Sequence, residues 1–214
     1  MKNTILWDND GVLVDTEKYY LEANTIFLRD YGIEVTGELY NRISLRRGKS
    51  MLTLLADKGY SADEILKLRE QRDEIYIDLV MSNDITIESA GDVLASLHGR
   101  FKMGVVTTTK REYFTKVHEN TGFLKYFDFV VAREDYKMAK PYPDPYLLGI
   151  SRSESRPEEC IAIEDTERGL NSAVSAGIDC VVIPSGLTKN NEFKDAKLVL
   201  NSISDVTYDV ITSL

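Results

Sequence analysis

The sequence predicts an α/β fold: a doubly wound, mostly parallel sheet covered by helices on both faces. From residue 87 to residue 183, short apolar runs typical of buried strands alternate with helical patterns. Another apolar run, Ile5–Trp7, is followed by a long segment with helical patterns only. We therefore predict a core domain of residues 1–15 and 84–214, with a helical domain of residues 16–83 inserted after the first strand.

The remaining strands are predicted from apolar runs that are each preceded by a helical pattern. They are Phe101–Thr107, Phe127–Val131, Cys160–Asp165 and Cys180–Ile183. Cys160 and Cys180 each begin such a run, which predicts buried free thiols rather than a disulfide or a zinc site.

The inserted segment is predicted to be helical throughout. Apolar and aromatic residues recur at helical spacing over Thr16–Tyr31, and Gly32 lies where a C-cap is expected. Ser61–Glu64 predicts a capping box that opens a long helix. Its apolar side is predicted from the residues Ile65, Leu68, Ile75 and Leu79.

Composition limits the classes of function. The chain has 214 residues, with 43% hydrophobic and 29% charged residues, which is typical of a globular protein. A net charge of −9 argues against a nucleic-acid partner. No apolar run is long enough to span a membrane, and Met-Lys-Asn leads directly into a strand without a signal-peptide pattern. We expect a cytoplasmic protein, a monomer or weak homodimer, with no membrane partner.

Two carboxylates follow the first predicted strand and are the strongest indication of chemistry. Asp8 lies at the strand's carboxyl end, where open α/β sheets bind their ligands, and Gly11 allows a sharp turn. Residues two apart in an extended segment point the same way, so Asp8 and Asp10 can converge on one metal ion or phosphoryl group.

Three later segments carry polar residues suited to phosphoryl chemistry. Thr107 ends a strand, and the segment Thr109–Glu112 predicts a capping box that opens a helix, so a phosphate can bind the Thr107 hydroxyl and the Thr108–Lys110 turn. Lys140, before a proline, supplies a fixed cation. Glu164 and Asp165 end another buried strand and are suitable for magnesium.

These four segments resemble the four ordered motifs of the haloacid dehalogenase-like superfamily. They are Asp8–Thr16, Thr107, Lys140-Pro141 and Glu164-Asp165. The resemblance covers essentially the whole chain. It is strongest to the branch with phosphoglycolate phosphatases and β-phosphoglucomutases, and it implies a Rossmann-like core with a helical cap.

The resemblance also implies roles for the motif residues. Asp8 would be the nucleophile that forms an aspartyl-phosphate, and Asp10 the general acid and base. Thr107 and Lys140 would hold the transferring phosphoryl group. Mg²⁺ would be bound by the Asp8 carboxylate, the Asp10 backbone carbonyl and Asp165, with Glu164 acting through water.

The substrate is expected to be a small phosphorylated metabolite, such as a sugar phosphate or a phosphoglycolate-like compound. Substrate contacts are predicted for the residues Thr16, Arg47, Lys49, Thr108, Thr109 and Lys110. Arg47 and Lys49 belong to a dense cationic turn, and a solvated basic turn without a ligand is the alternative interpretation.

Three functions remain open at this point. A phosphatase is favoured, and a β-phosphoglucomutase-like sugar-phosphate mutase is the alternative. Related mutases carry a histidine about where this chain has Tyr20, which favours the phosphatase. A non-catalytic phospho-acceptor resembling a response-regulator receiver is a distant third, because such modules are much shorter.

Overall fold

The computed structural model describes all residues, 1–214. Its contacts divide the chain into two compact units, one of residues 1–14 and 86–214 and the other of residues 15–85. We call them the core unit and the helical unit. No helix combines the length and the apolar character required to cross a membrane.

The core unit contains a six-stranded sheet in which every neighbouring pair of strands is parallel. The strands are β1 Thr4–Trp7, β2 Lys102–Val106, β3 Phe129–Val131, β4 Cys160–Glu164, β5 Asp179–Val182 and β6 Leu198–Val199. Their spatial order is β3-β2-β1-β4-β5-β6, the doubly wound order of Rossmann-like sheets. The predicted fold class is confirmed, although the short edge strand β6 was not predicted.

Helices connect the strands from β1 to β5, as parallel pairing requires, whereas no helix lies between β5 and β6. Those of the core unit are α4 Ala90–Leu97, α5 Arg111–His118, α6 Asp144–Ser153, α7 Glu167–Ser175 and α8 Tyr208–Thr212. Every residue of β1 and β4 is buried, because these central strands are covered on both faces. Cys160 and Cys180 are buried free thiols, as expected.

The helical unit contains helices and no strands. Its elements are α1 Glu17–Arg29, α2 Gly37–Tyr40, a π-helical turn Asn41–Leu45, a 3₁₀ segment Met51–Lys58 and α3 Ala62–Met81. The capping box is present: the Ser61 N–H donates to Glu64 Oε2 at 2.8 Å, and the Glu64 N–H donates to Ser61 Oγ at 3.4 Å.

The predicted buried side of α3 is only partly correct. Its predicted apolar residues are half-buried, whereas Arg72, Asp73, Tyr76 and Val80 are buried. The hydrophobic pattern missed this side because two of its residues are charged. Charged residues are buried when they pair with each other, as Arg72 and Asp73 do at 2.7 Å.

Candidate active site

Asp8 follows β1 at the point where the strand order reverses, in the crevice where doubly wound sheets bind ligands. Its backbone N–H donates to the Ile163 carbonyl at 2.9 Å, which ties it to β4. The side chain is buried, and its Oδ1 accepts a hydrogen bond from Lys140 Nζ at 2.7 Å. The central strands therefore fix the position of this carboxylate.

Lys140 joins three strand ends. Its buried ammonium donates to Asp8 Oδ1 at 2.7 Å, to Glu164 Oε1 at 2.6 Å and to the Val106 carbonyl at 2.8 Å. All three donor positions of an ammonium are thus used. This cation holds the ends of β1, β2 and β4 together and places positive charge beside Asp8.

The pKa values in this cluster reflect buried charge of both signs. Burial raises the pKa of Asp8 to about 7; the Glu164 carboxylate adds to this increase and the Lys140 ammonium partly offsets it. Burial also acts to lower the pKa of Lys140, but the carboxylates of Asp8 and Glu164 outweigh it and hold that pKa above its ordinary value. Lys140 is therefore a permanent cation at neutral pH.

Asp10 contacts the residues that follow β2. Its Oδ2 accepts hydrogen bonds from Thr109 Oγ1 at 2.8 Å and from Thr107 Oγ1 at 3.3 Å. The predicted capping box at Thr109 is wrong: α5 has Lys110 as its N-cap without a side-chain bond. The Thr109 hydroxyl instead donates to the Asp10 carboxyl group and so orients it.

Two glycines allow the acidic residues to approach the backbone closely. A Cβ on Gly11 would lie 2.2 Å from Asp165 Oδ2, and Gly11 also has a φ of +87°. A Cβ on Gly169 would lie 1.9 Å from Glu164 Oε2. Any side chain at either position would displace an acid, so both glycines are required by the site rather than by the turns alone.

Asp8, Glu164 and Asp165 form a buried group whose ligand atoms all lie within 4.8 Å of one another. One ammonium, that of Lys140, contacts this group of three carboxyl groups. An oxygen-only donor set with excess negative charge fits a hard divalent cation. Glu164 Oε1 already accepts bonds from Lys140 and Tyr146, at 2.6 and 2.8 Å, so Asp8 and Asp165 are better placed for direct ligation.

Of the predicted site residues, the core unit brings seven together at the carboxyl ends of its strands: Asp8, Asp10, Thr107, Thr109, Lys140, Glu164 and Asp165. Thr108 is half-buried in the same turn. Lys110 is exposed, with its ammonium 5.8 Å from the centroid of the Tyr113 ring.

The other predicted substrate residues belong to the helical unit. Thr16 is the buried N-cap of α1, and its carbonyl accepts the N–H groups of Tyr19 and Tyr20. Arg47 and Lys49 are exposed in the turn after the π-helical segment. Their roles toward a substrate stay predictions.

Tyr20 packs within the helical unit. The Arg72 guanidinium lies 4.1 Å from the centroid of the Tyr20 ring, and Tyr76 meets that ring edge-on at 5.2 Å. Arg72 also donates to Asn24 Oδ1 at 3.0 Å and to Asp73 Oδ1 at 2.9 Å. The position where related mutases have histidine thus carries an aromatic ring stacked on a buried cation.

Sequence reasoning missed three side chains that support the site. Tyr146 on α6 donates to Glu164, Tyr136 donates to the Thr107 carbonyl at 2.8 Å, and His118 reaches Asn9 at 2.7 Å. No motif surrounds these residues. In the sequence, Tyr136 and Tyr146 cannot be told from other core tyrosines. Only the hydrogen bonds of their hydroxyl groups identify them as part of the site.

The chain is similar to known proteins over most of its length. The chain is 29% identical to a phosphorylated carbohydrates phosphatase from Thermotoga maritima, over 82% of each chain. It is 29% identical to a phosphoglycolate phosphatase from Salmonella typhimurium, over 98% of this chain and 90% of that one. The crystal structure of CbbY from Rhodobacter sphaeroides in complex with phosphate matches the whole of both chains, with a TM-score of 0.86 and 24% identity.

The match to a family extends through every strand end that contributes to the site. Residues 5–183 match the family described as haloacid dehalogenase-like hydrolase, an interval that includes Asp8, Thr107, Lys140 and Asp165. The chain therefore belongs to the haloacid dehalogenase-like hydrolase family.

Proposed function

We propose that this protein hydrolyses a small phosphorylated metabolite through an aspartyl-phosphate on Asp8. The observation that carries the proposal is the convergence of a buried carboxylate, Asp8, with a fixed cation, Lys140, and a second acid, Asp10, at the switch point of the sheet. The enzyme is a phosphatase, since the chain belongs to a hydrolase family and the two relatives above are named phosphatases.

In the first step, an Asp8 carboxylate oxygen attacks phosphorus and the bond from phosphorus to the substrate's ester oxygen breaks. The Lys140 ammonium, 2.7 Å from Asp8, reduces the repulsion between this carboxylate and the phosphate anion. Asp10 gives its proton to the departing alkoxide, which leaves as an alcohol. Thr107 and Thr109 hold Asp10 in place by their hydroxyl groups.

In the second step, water hydrolyses the aspartyl-phosphate. Asp10, now a carboxylate, takes a proton from this water while the water oxygen attacks phosphorus. The bond between phosphorus and the Asp8 oxygen breaks, which regenerates the Asp8 carboxylate and releases phosphate. Asp10 thus returns to its protonated form, so the cycle is complete.

We infer that the resident cofactor is Mg²⁺, held by Asp8 and Asp165 with the Asp10 backbone carbonyl. The buried group of three carboxyl groups and one ammonium supports this inference. When bound, the ion supplies electrostatic stabilisation to the phosphoryl oxygens. Glu164 would act through water, because Lys140 and Tyr146 already donate to it.

The helical unit is proposed to act as a cap that selects the substrate. Tyr20 supports a phosphatase over a mutase, since its ring is stacked on Arg72 and offers no basic nitrogen where related mutases have histidine. The exposed cations Arg47 and Lys49 are proposed to contact the part of the substrate remote from the transferred phosphate. A cytoplasmic location and a monomeric or weakly dimeric state stay predictions.

A panel of phosphorylated metabolites, assayed for phosphate release, tests this function. Arg47→Ala is expected to lower kcat/KM for the best substrate by about 10- to 100-fold, the loss of one charge-assisted contact. Hydrolysis of a small aryl phosphate should change little. Arg29→Ala, which removes an exposed arginine of α1, is the matched control.

The same samples separate phosphatase from mutase. Sugar-phosphate isomerisation is followed with β-glucose 1-phosphate and a bisphosphate primer present. Efficient isomerisation with little free phosphate would contradict the proposal and favour the mutase.

A further inference from the structure

Asn9 lies between the two catalytic aspartates and organises the turn that carries them. Its backbone carbonyl accepts three N–H groups, those of Val12, Leu13 and Val14, at 3.3, 2.9 and 3.2 Å. The residue is 0% exposed, so its side chain contacts only protein. We call residues 8–14 the nucleophile loop. The orientation of Asn9 therefore determines the path of this loop.

The Asn9 side chain is held by a single residue from another element. Asn9 Oδ1 lies 2.7 Å from Nε2 of His118, the last residue of α5. His118 is 2% exposed and packs against the rings of Phe114 and Phe123, at centroid distances of 4.6 and 6.1 Å. A rigid ring thus reaches from the end of a helix to the nucleophile loop.

The hydrogen-bond partners define the protonation of His118. An amide oxygen only accepts, so Nε2 carries the proton. Nδ1 then accepts from Thr121 Oγ1 at 2.9 Å, and the Phe123 N–H donates to this same hydroxyl oxygen at 3.2 Å. Burial lowers the pKa of His118 to about 4, against an upward effect of Asp10, so the ring is neutral at pH 7.

This arrangement is not the most stable choice for a buried site. Asn9 Nδ2 is buried and has no hydrogen-bond partner, which costs free energy that an apolar residue would avoid. The buried amide and the buried imidazole thus give a lower free energy of unfolding than a well-packed apolar pair would give. Such departures occur where function requires them.

We propose that His118 is a positioning residue: through its hydrogen bond to Asn9 it holds the nucleophile loop so that Asp8 and Asp10 face the same phosphoryl group. The inference rests on the proposed function. His118 does not contact the substrate. It acts on the chemical step alone, since small displacements of reacting groups reduce the rate more than they reduce binding.

Three single variants and one double variant test the proposal with the full-length protein and an aryl phosphate. His118→Phe, which keeps the ring but removes Nε2, is expected to lower kcat by about 10- to 100-fold with KM changed less than about 3-fold. His118→Gln retains an N–H donor and should recover most of the lost kcat. His98→Phe alters the other histidine, which is exposed, and is the matched control.

The double variant Asn9→Leu/His118→Phe separates positioning from folding. Replacing both partners by apolar groups should restore thermal stability to at least that of the wild type, because no buried polar atom is left unpaired. Its kcat should stay low. A double variant that recovers both stability and kcat would overturn the proposal, as would a folded His118→Phe enzyme with full kcat or a folded His118→Gln enzyme without recovery.

Hydrogen exchange gives a measurement that does not depend on activity. The amides of Val12, Leu13 and Val14 should exchange at least about 10-fold faster in His118→Phe than in the wild type or His118→Gln. Unchanged exchange would contradict the positioning role. If wild-type protein fails to hydrolyse any phosphate ester, the proposed function fails, whereas the exchange rates still decide whether His118 orders the loop.

Discussion

Each unit of this protein buries a cation against a carboxylate, but the two arrangements differ in charge balance. In the core unit, three carboxyl groups, those of Asp8, Glu164 and Asp165, lie close to a single ammonium, that of Lys140. In the helical unit, the Arg72 guanidinium has one carboxylate partner, Asp73, and neutral partners otherwise.

This difference distinguishes the candidate active site from a structural ion pair. Burial raises the pKa of Asp8 to about 7, and the neighbouring Glu164 carboxylate adds to this increase. The excess of carboxyl groups in the core unit also favours a divalent cation. The Arg72 pair has its charges matched and its ring face covered by Tyr20, so it requires no further ligand. Charge imbalance at a strand end is thus the better indicator of function.

The largest effect is expected from Asp8, the proposed nucleophile. Asp8→Asn should lower hydrolysis of an aryl phosphate by at least about 10³-fold, because an amide does not attack phosphorus. Its thermal stability should not fall, since the substitution removes one of the excess buried charges. Phosphate release and thermal melting measure the two outcomes. Near-normal turnover would exclude the aspartyl-phosphate mechanism.

The next prediction concerns the divalent cation that the excess of carboxyl groups is proposed to bind. Removal of divalent ions by a chelator should abolish activity, and Asp165→Ala should raise the Mg²⁺ concentration for half-maximal rate by at least about 10-fold, as one carboxylate ligand is lost. Asp195→Ala, at an exposed acid, is the matched control. Full activity after chelation would show that the acid group does not serve a metal.

In the helical unit, breaking the balanced pair should affect stability and leave chemistry unchanged. Arg72→Met is expected to lower the free energy of unfolding by about 3–5 kcal/mol, since it leaves the Asp73 carboxylate buried without its cation. Arg29→Met, at an exposed arginine, should cost less than about 1 kcal/mol. Urea unfolding gives both values. A loss as small as that of the control would show that the pair is dispensable.

A smaller effect is expected from pH. The pKa of His118 falls from 6.5 to about 4 through burial, so the unfolded chain binds a proton more readily between these values. The free energy of unfolding should therefore decrease as pH falls through this window, by about 2.5 kcal/mol. His118→Gln should lack this component. The free energy of unfolding is measured from pH 7.5 to 4.5 for the wild type and His118→Gln. The same decrease in both proteins would contradict this prediction.

Local sequence features predicted much of the fold and part of the site. The apolar runs predicted β1 to β5, and the family and fold class are confirmed. The strand β6 was missed because two residues produce no periodic pattern. The role of Thr109 was assigned to a helix cap because both roles use the same hydroxyl, and only the position of Asp10 decides between them.

The strand-end motifs follow from the sequence alone, because the identities of Asp8, Lys140 and Asp165 and the apolar runs before them are local properties. The side chains that support those residues became evident only from the folded structure. Tyr146, Tyr136 and His118 lie 18, 29 and 109 residues along the chain from the groups that they contact. Their roles arise because parallel pairing brings distant strand ends to one edge, and no local pattern encodes that proximity.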